Sequence, residues 1–344
     1  MRFQAICAVL FTTTLLARDH TDIIVMQNGD RITGEIKSLE SGVLKIDIDY
    51  VDGAISVQWF KVARVESKQP FIIQMEDGSV YTGALGTTPE QPTTLRVAEA
   101  NESVAVEKAK VVRMGETSQK FFQSLSGSIN LGLVYAKGNN ATQYNLGADV
   151  EYRQERWGFE GSLSSNLSAN SGSSTATHNQ LNLAVYRLMS RKNYFYSVFG
   201  GVLQSSAQGI DSQTSLGAGI GRYFKNTNRV RVSVLGGFVW YSARYRPSVA
   251  AIPTEQVYGA AIVTDLSVFL FKKTNLTART IVAPAFSDPG RVFANTNVSY
   301  YLKVVSNLSW NLSFYGNWDT NPPGTFSGSD YGYSSGIAWT FGYK

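Results

Sequence analysis

From Phe121 to the C-terminus, apolar and polar residues alternate with a period of two. Tyr144, Leu146, Ala148, Val150 and Tyr152 alternate with Asn145, Gly147, Asp149 and Glu151. Leu308, Trp310, Leu312 and Phe314 alternate with Ser309, Asn311, Ser313 and Tyr315. The last stretch sets Tyr333, Ser335, Ile337, Trp339, Phe341 and Tyr343 against Ser334, Gly336, Ala338, Thr340 and Gly342. Successive side chains of a strand point to opposite faces, so this pattern predicts two-faced strands. The polar set is mostly Gly, Ser, Asn and Thr, and the aromatics gather near strand ends. A soluble sandwich would bury its apolar face. Here the pattern predicts an apolar face turned to lipid, a polar lumen and aromatic girdles at the interfaces.

About 12 such strands can be counted, an even number, as closed bacterial barrels prefer. Short turns are predicted near Glu155-Arg156, Arg191-Lys192, Asn226-Thr227, Lys272-Lys273 and Val305-Ser306. Longer loops fall near Gly138-Asn139-Asn140, at 170–177, 208–212 and 246–255, near Asp288-Pro289-Gly290, and at 321–330. In barrels of this kind short turns face the periplasm and long loops face outward. Both chain ends then fall on the periplasmic side.

The first third reads differently. Residues 22–114 contain one unit twice, displaced by a constant 49 positions. Ile23-Ile24 matches Ile72-Ile73, Asn28-Gly29-Asp30 matches Asp77-Gly78-Ser79, and Thr33-Gly34-Glu35-Ile36 matches Thr82-Gly83-Ala84-Leu85. Val62 matches Val111. Asn-Gly and Asp-Gly between apolar runs signal tight hairpins. The expectation is a pair of small SH3-like or Sm-like β-units. Asp30, Glu35, Asp47 and Asp49 could form a metal or acid–base site, but acids alternating with apolar residues are expected on solvated strand faces, and that reading is preferred.

Composition adds limits. No stretch of the mature chain reaches about 18 consecutive apolar residues, so no helix is expected to span a membrane. Arg2 followed by the apolar run Phe3–Leu16 reads as an export signal ending near Ala17. Cys7 is the only cysteine and lies in that run, so no disulfide or thiolate metal site is expected in the mature protein. The predicted division is a signal peptide at 1–19, a periplasmic tandem β-repeat domain at 20–116 with units at 22–66 and 71–114, and a barrel at 117–344. The fold class is all-β.

Ser334, Gly336, Trp339 and Phe341 fit the polar-x-Gly-x-x-aromatic-x-aromatic pattern of last strands read by the barrel-assembly machinery, although the chain runs on to Lys344. The order of a signal, a repeated Asn-Gly-Asp-Arg-Ile-Thr-Gly-Glu-Ile unit, and a barrel opening on the segment from Gly132 through Tyr135 to Asn140 resembles the domain-of-unknown-function family of salt-induced outer-membrane proteins. The resemblance covers nearly the whole mature chain. It implies an outer-membrane location and brings no catalytic residues.

Candidate chemistry is sparse. His20 lies beside the predicted cleavage site, and His178 is placed at an outer rim with Ser173 and Ser174 nearby. An outer-membrane lipid-modifying enzyme would need a Ser–His pair with an orienting polar group on its lipid-facing surface; a polar rim histidine is the preferred reading. Inward parity places Asp149, Glu151, Arg153, Glu160, Arg231, Asp265 and Arg279 in the lower lumen. Counting from shared turns sets Asp265 opposite Arg279, a natural cross-strand ion pair, and Glu151 opposite Glu160. These charges are read as a structural network, with Arg153 and Arg231 neutralising the acids, or else as a solute or proton site. Outward parity beyond Trp240 and Ser242 sends Arg244 and Arg246 toward lipopolysaccharide phosphates, which guanidinium forks suit.

Charge is unevenly divided. Residues 22–116 hold 10 Lys and Arg against 15 Asp and Glu, a net charge of −5, within a chain of +5. Basic residues crowd the predicted periplasmic rim of the barrel. Opposite fields attract at short range, so the repeat domain is expected to dock under the barrel mouth unless the rim binds phospholipid phosphates instead. The sequence therefore predicts a non-enzymatic envelope protein without cofactor or metal. It would be either a narrow passive channel for small polar solutes or ions, or a closed barrel anchoring its periplasmic domain. Expected partners are outer-membrane lipids, lipopolysaccharide and the assembly machinery; nucleic acid is not among them.

Overall fold

The structure, a computed structural model, describes residues 21–87, 93–98, 103–117, 125–136, 141–154, 156–169, 175–189, 193–246, 254–270, 274–305 and 307–341. The predicted signal with Cys7, His20, Ser173, Ser174, and the turn residues Glu155, Arg191, Lys192, Lys272 and Lys273 lie outside the described residues.

The first nine strands form one sheet. They are β1 (Asp22–Met26), β2 (Arg31–Glu40), β3 (Val43–Asp47), β4 (Ile55–Gln58), β5 (Val62–Met75), β6 (Val80–Gly86), β7 (Thr94–Ala98), β8 (Ser103–Glu107) and β9 (Val111–Glu116). The order is β4-β3-β2-β1-β5-β6-β7-β8, with β9 paired to β2 and β5. Long β5 belongs to both halves: its start pairs with β1 and its end with β6 and β9. Gly29 and Gly78 turn the β1–β2 and β5–β6 hairpins with φ of 92° and 85°, a region glycine enters without a steric penalty. The two hairpins are held alike. Met26 N–H donates to Asp30 O and Gln27 N–H to Lys61 O; Met75 N–H donates to Ser79 O and Glu76 N–H to Lys110 O. The core is mainly apolar, with Ile24, Ile36, Leu44, Phe71, Ile73 and Leu95 fully buried. Each such side chain contributes about 1.5–3 kcal/mol by leaving water.

The acids of this sheet are not all solvated. Asp30 and Asp49 are exposed, but Glu35 is buried and meets Lys37 at 2.6 Å, which also reaches Asp47 at 3.6 Å. Fully buried Asp22 accepts from Ile36 N–H at 2.8 Å and from Ser67 Oγ at 2.5 Å. A buried carboxylate needs such donors; here it ties three strands together. No group of three His, Cys, Asp or Glu side chains suited to a metal occurs among the described residues.

The remaining strands are β10 (Leu125–Ala136), β11 (Ala141–Arg153), β12 (Trp157–Ala169), β13 (Ala176–Leu188), β14 (Tyr194–Ser205), β15 (Ile210–Asn226), β16 (Val230–Tyr245), β17 (Thr254–Leu270), β18 (Thr274–Pro284), β19 (Val292–Val305), β20 (Leu308–Asp319) and β21 (Ser329–Phe341). They close in chain order into an antiparallel barrel of 12 strands. Closure is made by β21 on β10, from Gly127 opposite Phe341 to Leu131 opposite Ile337. The outer surface exposes Leu131, Leu216, Ile220, Phe238, Leu312 and Ile337. At the end carrying the short turns, Arg187 lies over the Trp157 ring at 5.1 Å and Arg222 over Tyr194 at 5.3 Å.

The lumen departs from the uniformly polar interior that the alternation predicts. One register row crosses six strands as Leu188, Phe195, Gly221, Leu235, Val263 and Ile281. The glycines of β15 make room for it. A Cβ on Gly221 would stand 2.4 Å from the Phe195 ring, and one on Gly217 would stand 2.5 Å from Phe199. Strands β14 and β16 are apolar on both faces, so alternation marks their polarity poorly.

Candidate functional site

The lumen is crossed near its turn end. Strands β12 and β18 stand six places apart in the ring of 12 and so face each other. Arg279 of β18 nonetheless reaches Glu160 of β12 at 3.4 Å, and its register partner Asp265 at 3.6 Å. Glu160 stands beside Glu151 in register. Arg153 lies between them, paired with Glu151 and 3.9 Å from Glu160. Asp149 accepts from Ser128 Oγ at 3.2 Å and from Tyr301 OH at 3.1 Å. Of the predicted lumen charges, Arg231 is the one not brought to a carboxylate: no ion pair within 4.0 Å is formed by it among the described residues, and it lies 5.8 Å over the Phe269 ring.

A second crossing lies toward the long loops. His178 is 3% exposed and faces inward, not at an open rim as the sequence suggests. Its Nδ1 is 2.7 Å from Asp330 Oδ2, and its ring stacks on Tyr315 at 4.0 Å. Ser205 Oγ donates to the same Asp330 oxygen at 2.5 Å. His178 Nε2 faces the Asn317 amide at 3.5 Å. The serine therefore bonds the acid and not the imidazole, which is not the order that activates a hydroxyl nucleophile.

Above this level Arg291, 2% exposed, binds Asp319 through two nitrogens at 2.9 and 2.7 Å and Glu255 at 2.7 Å, with Asp288 at 3.5 Å. Burial works against its charge, but the hydrogen bonds to Asp319 and Glu255 outweigh burial and hold the guanidinium above its ordinary pKa. The forked donor geometry suits such a cluster.

The N-terminal sheet covers the turn end. Asn193, in the β13–β14 turn, donates to Glu76 O at 2.6 Å, and Asn228, in the β15–β16 turn, donates to Val111 O at 2.7 Å. Arg153 of the lumen reaches Glu40 of the sheet at 3.8 Å, and Arg229 lies 5.9 Å over Phe60. A cavity of about 1260 Å³ extends from the sheet past the first crossing, whose Glu160, Asp265 and Arg279 line it. It is bounded below by Glu40, Val43, Lys45 and Asp52 of the sheet and reaches the barrel rim at Asn307 and Phe341. Its walls differ: Phe195, Phe199, Leu235 and Val263 on one side, Ser128, Ser162, Asn297 and Ser309 on the other.

The remaining predicted sites lie elsewhere. Arg244 points outward, exposed, 4.0 Å from Asp211; Arg246 follows the end of β16, where its N–H donates to Gly209 O. On β21, Ser334 and Gly336 share the inward parity, and Trp339 and Phe341 share the outward one, their rings 5.7 Å apart. Sequence reasoning missed Asn193, Asn228, Arg291 and Asp330. Only Asn193 carried a signal, since Asn tolerates its positive φ of 57° in a tight turn.

The family model described as "Protein of unknown function, DUF481" matches residues 129–341. No curated protein matches the chain. Among solved structures, the chain is similar to the translocator domain of autotransporter NalP from Neisseria meningitidis, at 13% identity and a TM-score of 0.31, over 63% of this chain and 87% of that one. It is similar to a porin at 11% identity and a TM-score of 0.29, over 79% and 98%. A third, the CymD monoaromatic hydrocarbon channel, is 9% identical with a TM-score of 0.28, over 80% and 88%. None of these likenesses identifies a cargo.

Proposed function

The chain belongs to DUF481, a family of proteins of unknown function, and we propose that it is an outer-membrane barrel of non-enzymatic function, its periplasmic mouth partly covered by its own N-terminal domain. An outer surface of exposed Leu, Ile and Phe side chains around a closed barrel suits lipid and not water. The short turns lie on the side of the N-terminal sheet, which supports a periplasmic place for it by the usual asymmetry of turns and loops. We read the sheet as two SH3-like units sharing β5. Arg187 and Arg222, seated on aromatics at that rim, suit phospholipid headgroups, and Arg244 with Arg246 suits lipopolysaccharide at the other. Trp339 and Phe341 serve as the assembly signal.

One observation carries the reading of a capped barrel: asparagines from two different turns each donate to a backbone carbonyl of the N-terminal sheet. Such contacts, with an Arg–Glu pair and a cation–π contact beside them, favour a docked cap over a tethered domain. A second reading, a narrow channel for small polar solutes or ions, is favoured by the polar wall and by the cavity's extension to the rim at Asn307 and Phe341.

The cap can be tested by disulfide trapping. A Cβ on Gly42 would lie 3.4 Å from Asn228 Cβ, close to the ordinary separation in a disulfide of about 3.5–4.5 Å. In the double variant Gly42→Cys/Asn228→Cys, the bond is expected to form in isolated outer membranes without added catalyst. Gly42 has φ of 75°, so the single variant Gly42→Cys is the folding control. A double variant that folds and stays reduced under oxidation contradicts the docked cap.

A further inference from the structure

The cavity has an organisation that a plug does not need. A barrel filled only for stability would pack its apolar side chains against one another across the bore. Here Phe195, Leu235 and Val263 pack sideways with Ile281 into one nearly buried apolar cluster, but across the bore they meet no apolar partner: their inner edges line a chamber of about 1260 Å³, and the wall opposite carries hydroxyls and amides. A concave apolar wall with a few polar groups is how small-molecule sites are built. On the inward face of β16 the order from the capped end is Arg231, Ser233, Leu235, Gly237, Val239. A cation thus stands at the foot of the apolar wall. The acids around it are engaged elsewhere: Glu151 with Arg153, Glu160 and Asp265 with Arg279. Among the described residues Arg231 forms no ion pair within 4.0 Å; it shares the field of Glu151, stands over the Phe269 ring and lines the chamber.

We propose that the chamber is a binding site for a single-chain anionic amphiphile of the fatty-acid class, with its alkyl chain along Phe199, Leu235 and Val263 and its carboxylate on Arg231. The opening between β3–β4 of the cap and the rim at Asn307 and Phe341 is its way in, so the ligand comes from the periplasmic side. Guanidinium binds carboxylate through a fork of parallel donors, and the chamber exceeds what one medium-length chain fills. This proposal rests on the capped-barrel reading, because an open mouth would leave the wall in bulk water.

The test is calorimetric titration of the full chain, held in amphipol, with octanoate, and in parallel with octyltrimethylammonium and octanol. Octanoate is expected to bind saturably, one per chain, with octyltrimethylammonium silent and octanol at least tenfold weaker. Arg231→Gln is expected to weaken octanoate at least tenfold while leaving octanol unchanged. Leu235→Asn is expected to weaken both; if it fails to fold, as judged by heat-modifiable migration, Ile281→Thr, a smaller change in the same apolar row, is expected to do the same. Absence of saturable binding, equal binding of the three probes, or octanoate binding indifferent to Arg231→Gln would overturn the proposal. The disulfide trap reports separately on the cap, so octanoate silence with a formed Gly42–Asn228 crosslink condemns the ligand alone.

Discussion

Arg279 and Glu160 stand on opposite strands of the ring, and their side chains meet at 3.4 Å across the lumen. A 12-stranded barrel is wide enough that opposite walls do not touch through backbone, so two long side chains must extend inward to bridge them. The pair is about one-third exposed to the chamber, which moderates its strength. A double-mutant cycle of Glu160→Gln and Arg279→Gln is expected to give a coupling of about 1 kcal/mol in urea unfolding. A coupling of zero would mean that the two do not meet. Glu160→Gln also relieves the repulsion from Glu151, so that single variant should cost less than Arg279→Gln.

At the loop end, Arg291 holds three carboxylates. Removing one partner of a buried ion cluster leaves charges without compensation, a loss of about 3–5 kcal/mol. Arg291→Leu is therefore expected to loosen the loops around Glu255, Asp288 and Asp319, and faster proteolysis at those loops is the measurement. Arg291→Lys should recover only part of the loss, because an ammonium cannot reproduce the two-point contact with Asp319. Full recovery would contradict the forked geometry.

In the turn that meets the cap, Asn193 combines a hydrogen bond to Glu76 with a positive φ. Asn193→Gly keeps the backbone and removes the bond, with an expected loss of cap docking of about 1 kcal/mol. Asn193→Ala removes the bond and also strains the turn, costing more. Protease sensitivity of the N-terminal sheet should rise in the order wild type, Gly, Ala. Equal sensitivity of all three would mean that the bond does not hold the cap.

Lys108 tests the N-terminal sheet by pH. Its ammonium donates to Val62 O and to Ala63 O at 2.9 Å, and burial lowers its pKa below the ordinary lysine value. Between the lowered folded value and the unfolded value of 10.5, the unfolded chain binds more protons than the folded one. Stability then rises as pH climbs through that window. The melting temperature of the N-terminal sheet, compared with that of Lys108→Met, should shift in favour of the wild type from pH 8 toward 10.5. A pH-independent difference would contradict the depressed value.

Much of this architecture is legible in the sequence because a β-strand has a period of two and a barrel divides lipid from lumen. Tyr144 to Tyr152 and Leu308 to Tyr315 show that division directly, and the turns fall where charged or Asn-containing pairs interrupt it. The register of Asp265 with Arg279 and of Glu151 with Glu160 follows from counting out of shared turns. What counting along neighbours cannot give is contact across the bore. Arg279 with Glu160 and His178 with Asp330 depend on closure and on how far the walls stand apart. The apolar wall was hidden for another reason. Phe195, Phe199 and Leu235 lie on strands whose outward residues are apolar as well, so parity carries no contrast there. Arg291 sits in a loop, where no periodicity assigns a direction.

On the proposed reading, side chains across its bore close this barrel to ions, and its N-terminal sheet partly covers the mouth below. Conductance of the purified full chain in planar lipid bilayers tests it most directly. Inserted, heat-modifiable barrels are expected to pass no sustained current at neutral pH. Stable ohmic steps from the intact chain, persisting in the oxidised Gly42→Cys/Asn228→Cys variant, would contradict this closure.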